Sequence, residues 1–139
     1  MANAATEADP RLIAFVLPSI PESVPVARFH VRAALGFHGL GEYANDVETI
    51  TSELVTNAVR HVCEDGTETI GITLTRALSP ATVTVVVSDS SPQGPIKRDT
   101  SADCELGRGL QIVEALSAHW GWRQQDGGKA IFATLTPEA

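Results

Sequence analysis

Cysteine is nearly missing from this chain: Cys63 and Cys104 are the two in 139 residues, and they form no Cys-x-x-Cys pair. Two such thiols cannot build the disulfide framework of a small secreted scaffold, so both read as reduced. His30, His38, His61 and His119 show no zinc-type spacing with one another or with the cysteines, which sets aside a transition-metal centre. No apolar run approaches the roughly 20 residues that cross a bilayer. Residues 1–10 are Ala-rich and acidic, without the cationic start and apolar core of a secretory signal. The expected location is therefore the cytoplasm, with no membrane partner. Basic residues are also scarce, ten Lys and Arg against seventeen Asp and Glu, for a net charge of −7. A duplex-binding protein concentrates cations to displace phosphate counterions, so nucleic acid is not the expected partner.

What the chain does have is an ordinary globular balance, 43% hydrophobic and 19% charged, at a length that suits one core. Residues 1–9 read as a loose tail and 10–136 as a single domain. A strand is expected over 11–17, stopped by Pro18, and Pro18 with Pro21 marks a turn. Ser23 is the expected cap of a helix running to about Gly36, with Ala27, Val31, Ala34 and Leu35 on one face. A second helix is expected over 42–62, because Val47, Ile50, Leu54 and Ala58 recur with helical period. Strands follow over 68–76 and 82–89. Ile70, Ile72 and Leu74 alternate with Thr and Gly, while Val83 to Val87 is nearly continuous and suits a central strand. Residues 90–106 carry two prolines, one glycine and no periodicity, a length that in a compact domain often marks a functional lid. A third helix is expected from Gly109, then a hairpin of 120–125 and 129–135 around Asp126, Gly127 and Gly128. The order β-α-α-β-β-loop-α-β-β predicts an α+β fold, a two-layer sandwich with helices on one face of a mostly antiparallel sheet.

The second helix carries the most chemistry. At about 100° per residue, Glu53 and Asn57 differ by only about 40° around its axis. Arg60 falls near them, at the edge of the stripe made by Leu54 and Ala58. A carboxylate, a carboxamide and a guanidinium there supply a proton acceptor, an oxygen for a hard cation and a phosphate partner. A solvated polar face explains the same residues. Val87, Ser88 and Asp89 end a buried strand on a carboxylate able to accept from the amine of a bound base, or simply to start a turn. Gly107, Arg108, Gly109 and Leu110 open the third helix. Glycines there let backbone approach a ligand, free amides at a helix start attract phosphate, and Arg108 adds charge; a plain loop-to-helix turn is the competing reading. The sequence holds neither a Gly-x-x-x-x-Gly-Lys phosphate loop nor the motif set of eukaryotic-type protein kinases.

The ordered set of Glu53, Leu54, Val55, Thr56, Asn57 and Ala58, then Val87, Ser88 and Asp89, then Gly107, Arg108, Gly109 and Leu110 resembles the GHKL ATPase superfamily. Within it, Ala27, Arg28 and Phe29, the run from Ser52 to His61, and Trp120 with Gly121 look like the short anti-sigma-factor serine kinases common in actinobacteria. The resemblance spans residues 11–135. It implies a Bergerat-type sandwich that binds ATP with Mg2+ between the long helix and the lid. Asn57 would hold the magnesium, Glu53 would be the catalytic base, and Asp89 would read adenine. Gly107 and Gly109 would lie under the phosphates, with Arg60, Gly94, Arg108 and Leu110 completing the ATP site. It further implies an ATP-dependent protein serine/threonine kinase that binds a sigma factor, phosphorylates a STAS-domain antagonist and so controls transcription by partner switching. A homodimer is implied too, most naturally through the first helix around Arg28 and Arg32, arginines that a solvated face explains equally well. Two positions depart from the family pattern: Ser91 replaces a close-approach glycine after Asp89, and Gln111 stands where a third glycine would follow Gly109. These departures keep open a non-catalytic binding module that sequesters a regulator, with ATP structural or absent.

Overall fold

The computed structural model describes residues 11–60, 68–78, 81–90, 104–125 and 127–137, with backbone alone at 60 and 104–108. In chain order the elements are β1 (Arg11–Pro18), α1 (Ser23–Phe37), a 3-10 turn (Gly41–Tyr43), α2 (Ala44–Arg60), β2 (Thr69–Leu78), β3 (Ala81–Asp89), α3 (Cys104–Leu116), β4 (His119–Gln125) and β5 (Gly128–Leu135). The five strands form one sheet in the order β1-β2-β3-β5-β4, and every neighbouring pair is antiparallel. This is the α+β two-layer arrangement that the element order predicts.

Hydrophobic periodicity explains how the layers meet. Ala27, Val31, Ala34 and Leu35 of α1 are buried, and so are Val47, Ile50, Leu54 and Ala58 of α2. They pack on the inward rows of the sheet: Ile70, Ile72 and Leu74 of β2, Val83, Val85 and Val87 of β3, and Ile131, Ala133 and Leu135 of β5. The valine run of β3 forms the central strand of the sheet, as expected, though only one of its faces is fully buried. Val86 and Thr84 are only half-buried, because no described helix covers the far side of the sheet. There Thr84 and Thr134, directly opposite in the β3–β5 register, share a hydrogen bond of 2.9 Å between hydroxyls.

The start of α1 differs from expectation, while its end at Phe37 agrees with the expected boundary near Gly36. Ser23 does not cap the helix: Glu22 occupies the cap position without a side-chain bond, and the Ser23 hydroxyl instead donates to the Pro18 carbonyl at 2.6 Å. The helix closes at Gly39, whose φ of 75° supplies the left-handed residue of a Schellman motif. Leu40 N donates to Leu35 O at 2.8 Å and Gly39 N to Gly36 O at 3.2 Å, which turns the chain directly toward α2.

The two helices are also tied by charge. Arg32 Nε and Nη2 donate to Glu48 Oε1 at 2.9 and 2.6 Å, Nη2 also donates to Asn45 Oδ1 at 2.8 Å, and Arg28 Nε lies 3.7 Å from Glu48 Oε2. The bonds from Arg32, followed by the charges of Arg32 and Arg28, outweigh desolvation and hold the Glu48 carboxyl below the usual carboxylate range. A depressed folded value stabilises above the unfolded value and loses its contribution as pH falls through the folded one. Glu48→Gln should therefore cost no more than about 1 kcal/mol at neutral pH, since both arginines are about half exposed and solvent screens the pair. In urea titrations that gap should close as the pH drops below the ordinary glutamate value. A gap that persists in acid would mean packing, not charge, holds the two helices there.

Candidate functional site

Asn57 lies one turn past Glu53 on α2, flanked by Val55 and Ala58 in the buried face. The surrounding apolar residues leave its side chain 3% exposed, and its carboxamide oxygen Oδ1 accepts no hydrogen bond. A buried acceptor without a donor costs about 1–3 kcal/mol. An orphan of this kind fits a site whose partner comes from outside the chain, and a carboxamide oxygen is the donor type that a hard cation such as magnesium takes.

Glu53 is half-buried and meets α3. A methyl group at Gly109 would stand 2.7 Å from Glu53 Oε1, so a side chain there would make the Glu53 carboxylate swing aside. Leu110 and Val113 bury themselves beside it and anchor the helix. On its other side Glu53 borders an open polar depression of about 240 Å³, shared with Arg28, Glu48, Thr49 and Ser52.

The start of α3 differs from expectation. The helix begins at Cys104, five residues ahead of Gly109, so the glycine pair lies within it and not in a turn before it. Amides past the first turn are committed to carbonyls one turn back, and Gly109 belongs to that part. Glycine inside a helix costs about 1 kcal/mol relative to Ala, which is why sequence reading takes it as a boundary. Here the close approach to Glu53 accounts for it.

Asp89 ends β3 on the inward row that Val83, Val85 and Val87 occupy, directly opposite Lys129 of β5. Lys129 Nζ donates to Asp89 Oδ2 at 2.8 Å, with the two side chains 0% and 3% exposed. The same strand start is pressed hard against the end of β3. A Cβ on Gly128 would fall 2.0 Å from the Asp89 carbonyl oxygen and 2.9 Å from Ser90 Cα, so no other residue fits there. Gly127 before it takes φ of 79° to turn the β4–β5 hairpin.

The structure brings Glu53 and Gly109 together where α2 meets α3, with Asn57 one turn farther along α2 and Leu110 beside Gly109, and sets Asp89 on the inward row of β3. Gly94 and Ser91, and the side chains of Arg60 and Arg108, lie outside the described residues; Gly107 is described as backbone of α3. Lys129 is the site residue that sequence reasoning misses. Its signal is alternation: Lys129 heads the inward row completed by Ile131, Ala133 and Leu135, where a charge is out of pattern. Among the described residues no three His, Cys, Asp or Glu side chains gather as a metal cluster, and no helix is long and apolar enough to cross a membrane.

The fold is a two-layer sandwich whose candidate polar groups lie along one helix and at one strand end. The family model of the histidine kinase-like ATPase domain matches residues 17–135, and the chain belongs to that family. Among solved structures, it is similar to the RsbU and RsbW domains of Rv1364c from Mycobacterium tuberculosis, with a TM-score of 0.63 and 21% identity. That match covers 89% of this chain and 31% of the other, so this chain spans about a third of its length. At that identity the likeness speaks for the fold. A comparison with curated proteins finds no match. ATP binding goes with membership of an ATPase family.

Proposed function

We propose that the chain is an anti-sigma factor with ATP-dependent serine kinase activity toward a STAS-type antagonist. The observation that carries the reading is the orphaned carboxamide oxygen of Asn57, buried one helical turn from the Glu53 carboxylate in a chain of the ATPase family. The motif set of the anti-sigma kinases, and a fold shared with the RsbU and RsbW domains of a mycobacterial protein, support it further.

When bound, Mg-ATP supplies the transferable phosphoryl group and the metal's neutralising charge. The chain supplies the rest. Asn57 Oδ1 would hold the metal, Asp89 would accept from the exocyclic amine of the base, and Glu53, which borders an open depression, would take the proton of the acceptor serine. Partner choice between a sigma factor and the antagonist then follows the antagonist's phosphorylation state. Homodimerisation through α1, whose outer face exposes Phe29 and Phe37, belongs to the same reading and is read out by sedimentation.

Calorimetry with Mg-ATP tests the site. Asn57→Ala should weaken binding by about 10- to 100-fold, the loss of one charge-assisted contact, while leaving the ligand-free protein as stable as the parent or more so. Unchanged affinity in that variant would remove Asn57 as the metal holder. A second reading is favoured by Gly109 lying inside α3, where its amide is not open to a phosphate: a sequestering module with ATP structural or absent. No heat and no stabilisation of the parent chain at millimolar Mg-ATP would decide for it.

A further inference from the structure

Lys129 is the largest side chain buried completely among the described residues, and the mechanism above gives it nothing to do. Stability does not explain it. Taking an ammonium and a carboxylate out of water costs about as much as their attraction returns, and a well-packed apolar pair serves a core at least as well. Three features converge instead on the geometry of Asp89. The register sets Lys129 directly opposite it, the ammonium binds one carboxylate oxygen at 2.8 Å, and the bare backbone of Gly128 clamps the Asp89 carbonyl and Ser90 from the same strand.

We propose that Lys129 is a positioning residue that holds the Asp89 carboxylate in a fixed orientation, and so sets the preference of the site for a 6-amino over a 6-oxo purine. The proposal rests on the ATP-binding reading of the preceding section. An ionised carboxylate accepts hydrogen bonds and donates none, and its two oxygens have room for several donors at once, the ammonium and an exocyclic amine among them. Adenine presents a donor at its 6-position, whereas hypoxanthine presents a carbonyl acceptor that faces the carboxylate with repulsion. Without the ammonium the carboxylate is no longer held in one orientation, its oxygens turn away from the 6-position, and the contrast between the two purine edges weakens. The cation across the strand pair therefore decides which purine edge is read.

Competition binding of Mg-ATP and Mg-ITP to the whole chain tests this, on the parent, Lys129→Met and Lys129→Arg. The parent should prefer ATP by at least about tenfold, Lys129→Met should bring the two within about threefold, and Lys129→Arg should restore most of the preference. A purely structural lysine would weaken both nucleotides together and leave their ratio alone. Should Lys129→Met fail to fold, Lys129→Leu, which likewise offers Asp89 no donor, carries the same comparison. A folded neutral variant with the parental ratio, or an Arg variant no better than the neutral one, overturns the proposal while nucleotide binding itself stands. A parent chain that binds neither nucleotide overturns the ATP reading and this role with it.

Discussion

Glu53→Gln should bind Mg-ATP as the parent does and transfer phosphate to the antagonist serine about 100- to 10,000-fold more slowly, the usual worth of a general base. Gln is the informative substitution because shape matters at this position. Gly109 of α3 sits so close to Oε1 that the side-chain volume is part of the helix contact, and an amide of the same size preserves it. What Gln lacks is a site for the serine proton. Single-turnover labelling of purified antagonist, with binding measured alongside, separates chemistry from affinity. Parental labelling by the variant would take the proton-accepting role from Glu53 and leave it as a packing partner of α3.

Gly128→Ala should cost about 3 kcal/mol or more and lower the denaturant midpoint sharply. The added methyl would stand 2.0 Å from the Asp89 carbonyl oxygen, a backbone atom that no rotamer change can move. Relief requires β5 to slide or tilt away from β3, and continuous pairing from Val83–Leu135 to Asp89–Lys129 opposes both. Gly36→Ala is the control, since nothing lies within 4 Å of a methyl on that exposed turn of α1. It should be neutral or stabilise by up to about 1 kcal/mol, because glycine is a poor helix former. If both variants unfold at the parental midpoint, β5 is looser against β3 than the geometry shows.

Periodicity made much of the fold legible. Val47, Ile50, Leu54 and Ala58 repeat at helical spacing, and burial is the direct consequence of that repeat. The alternation of β2 and the Gly-rich hairpin before β5 are likewise local signals that tertiary structure leaves intact. The misreadings share one physical cause, a residue whose role is set by a contact outside its own element. Gly109 reads as a helix boundary until Glu53, 56 positions earlier, is seen to need the space. Ser23 reads as a cap until the Pro18 carbonyl takes its hydroxyl. In the candidate site Glu53 and Asn57 were visible as neighbours on one helix, whereas the meeting of Lys129 with Asp89 depends on strand order, which local pattern does not carry.

That strand order has a consequence for synthesis. β5 is the last strand along the sequence, yet it lies inside the sheet, between β3 and β4. While the ribosome is still making residues 128–135, β3 offers an open hydrogen-bonding edge, and Asp89 waits for the cation that only this late segment delivers. A nascent chain stalled before that point would expose a template for strand pairing with its neighbours, so this domain closes as its final strand slots home.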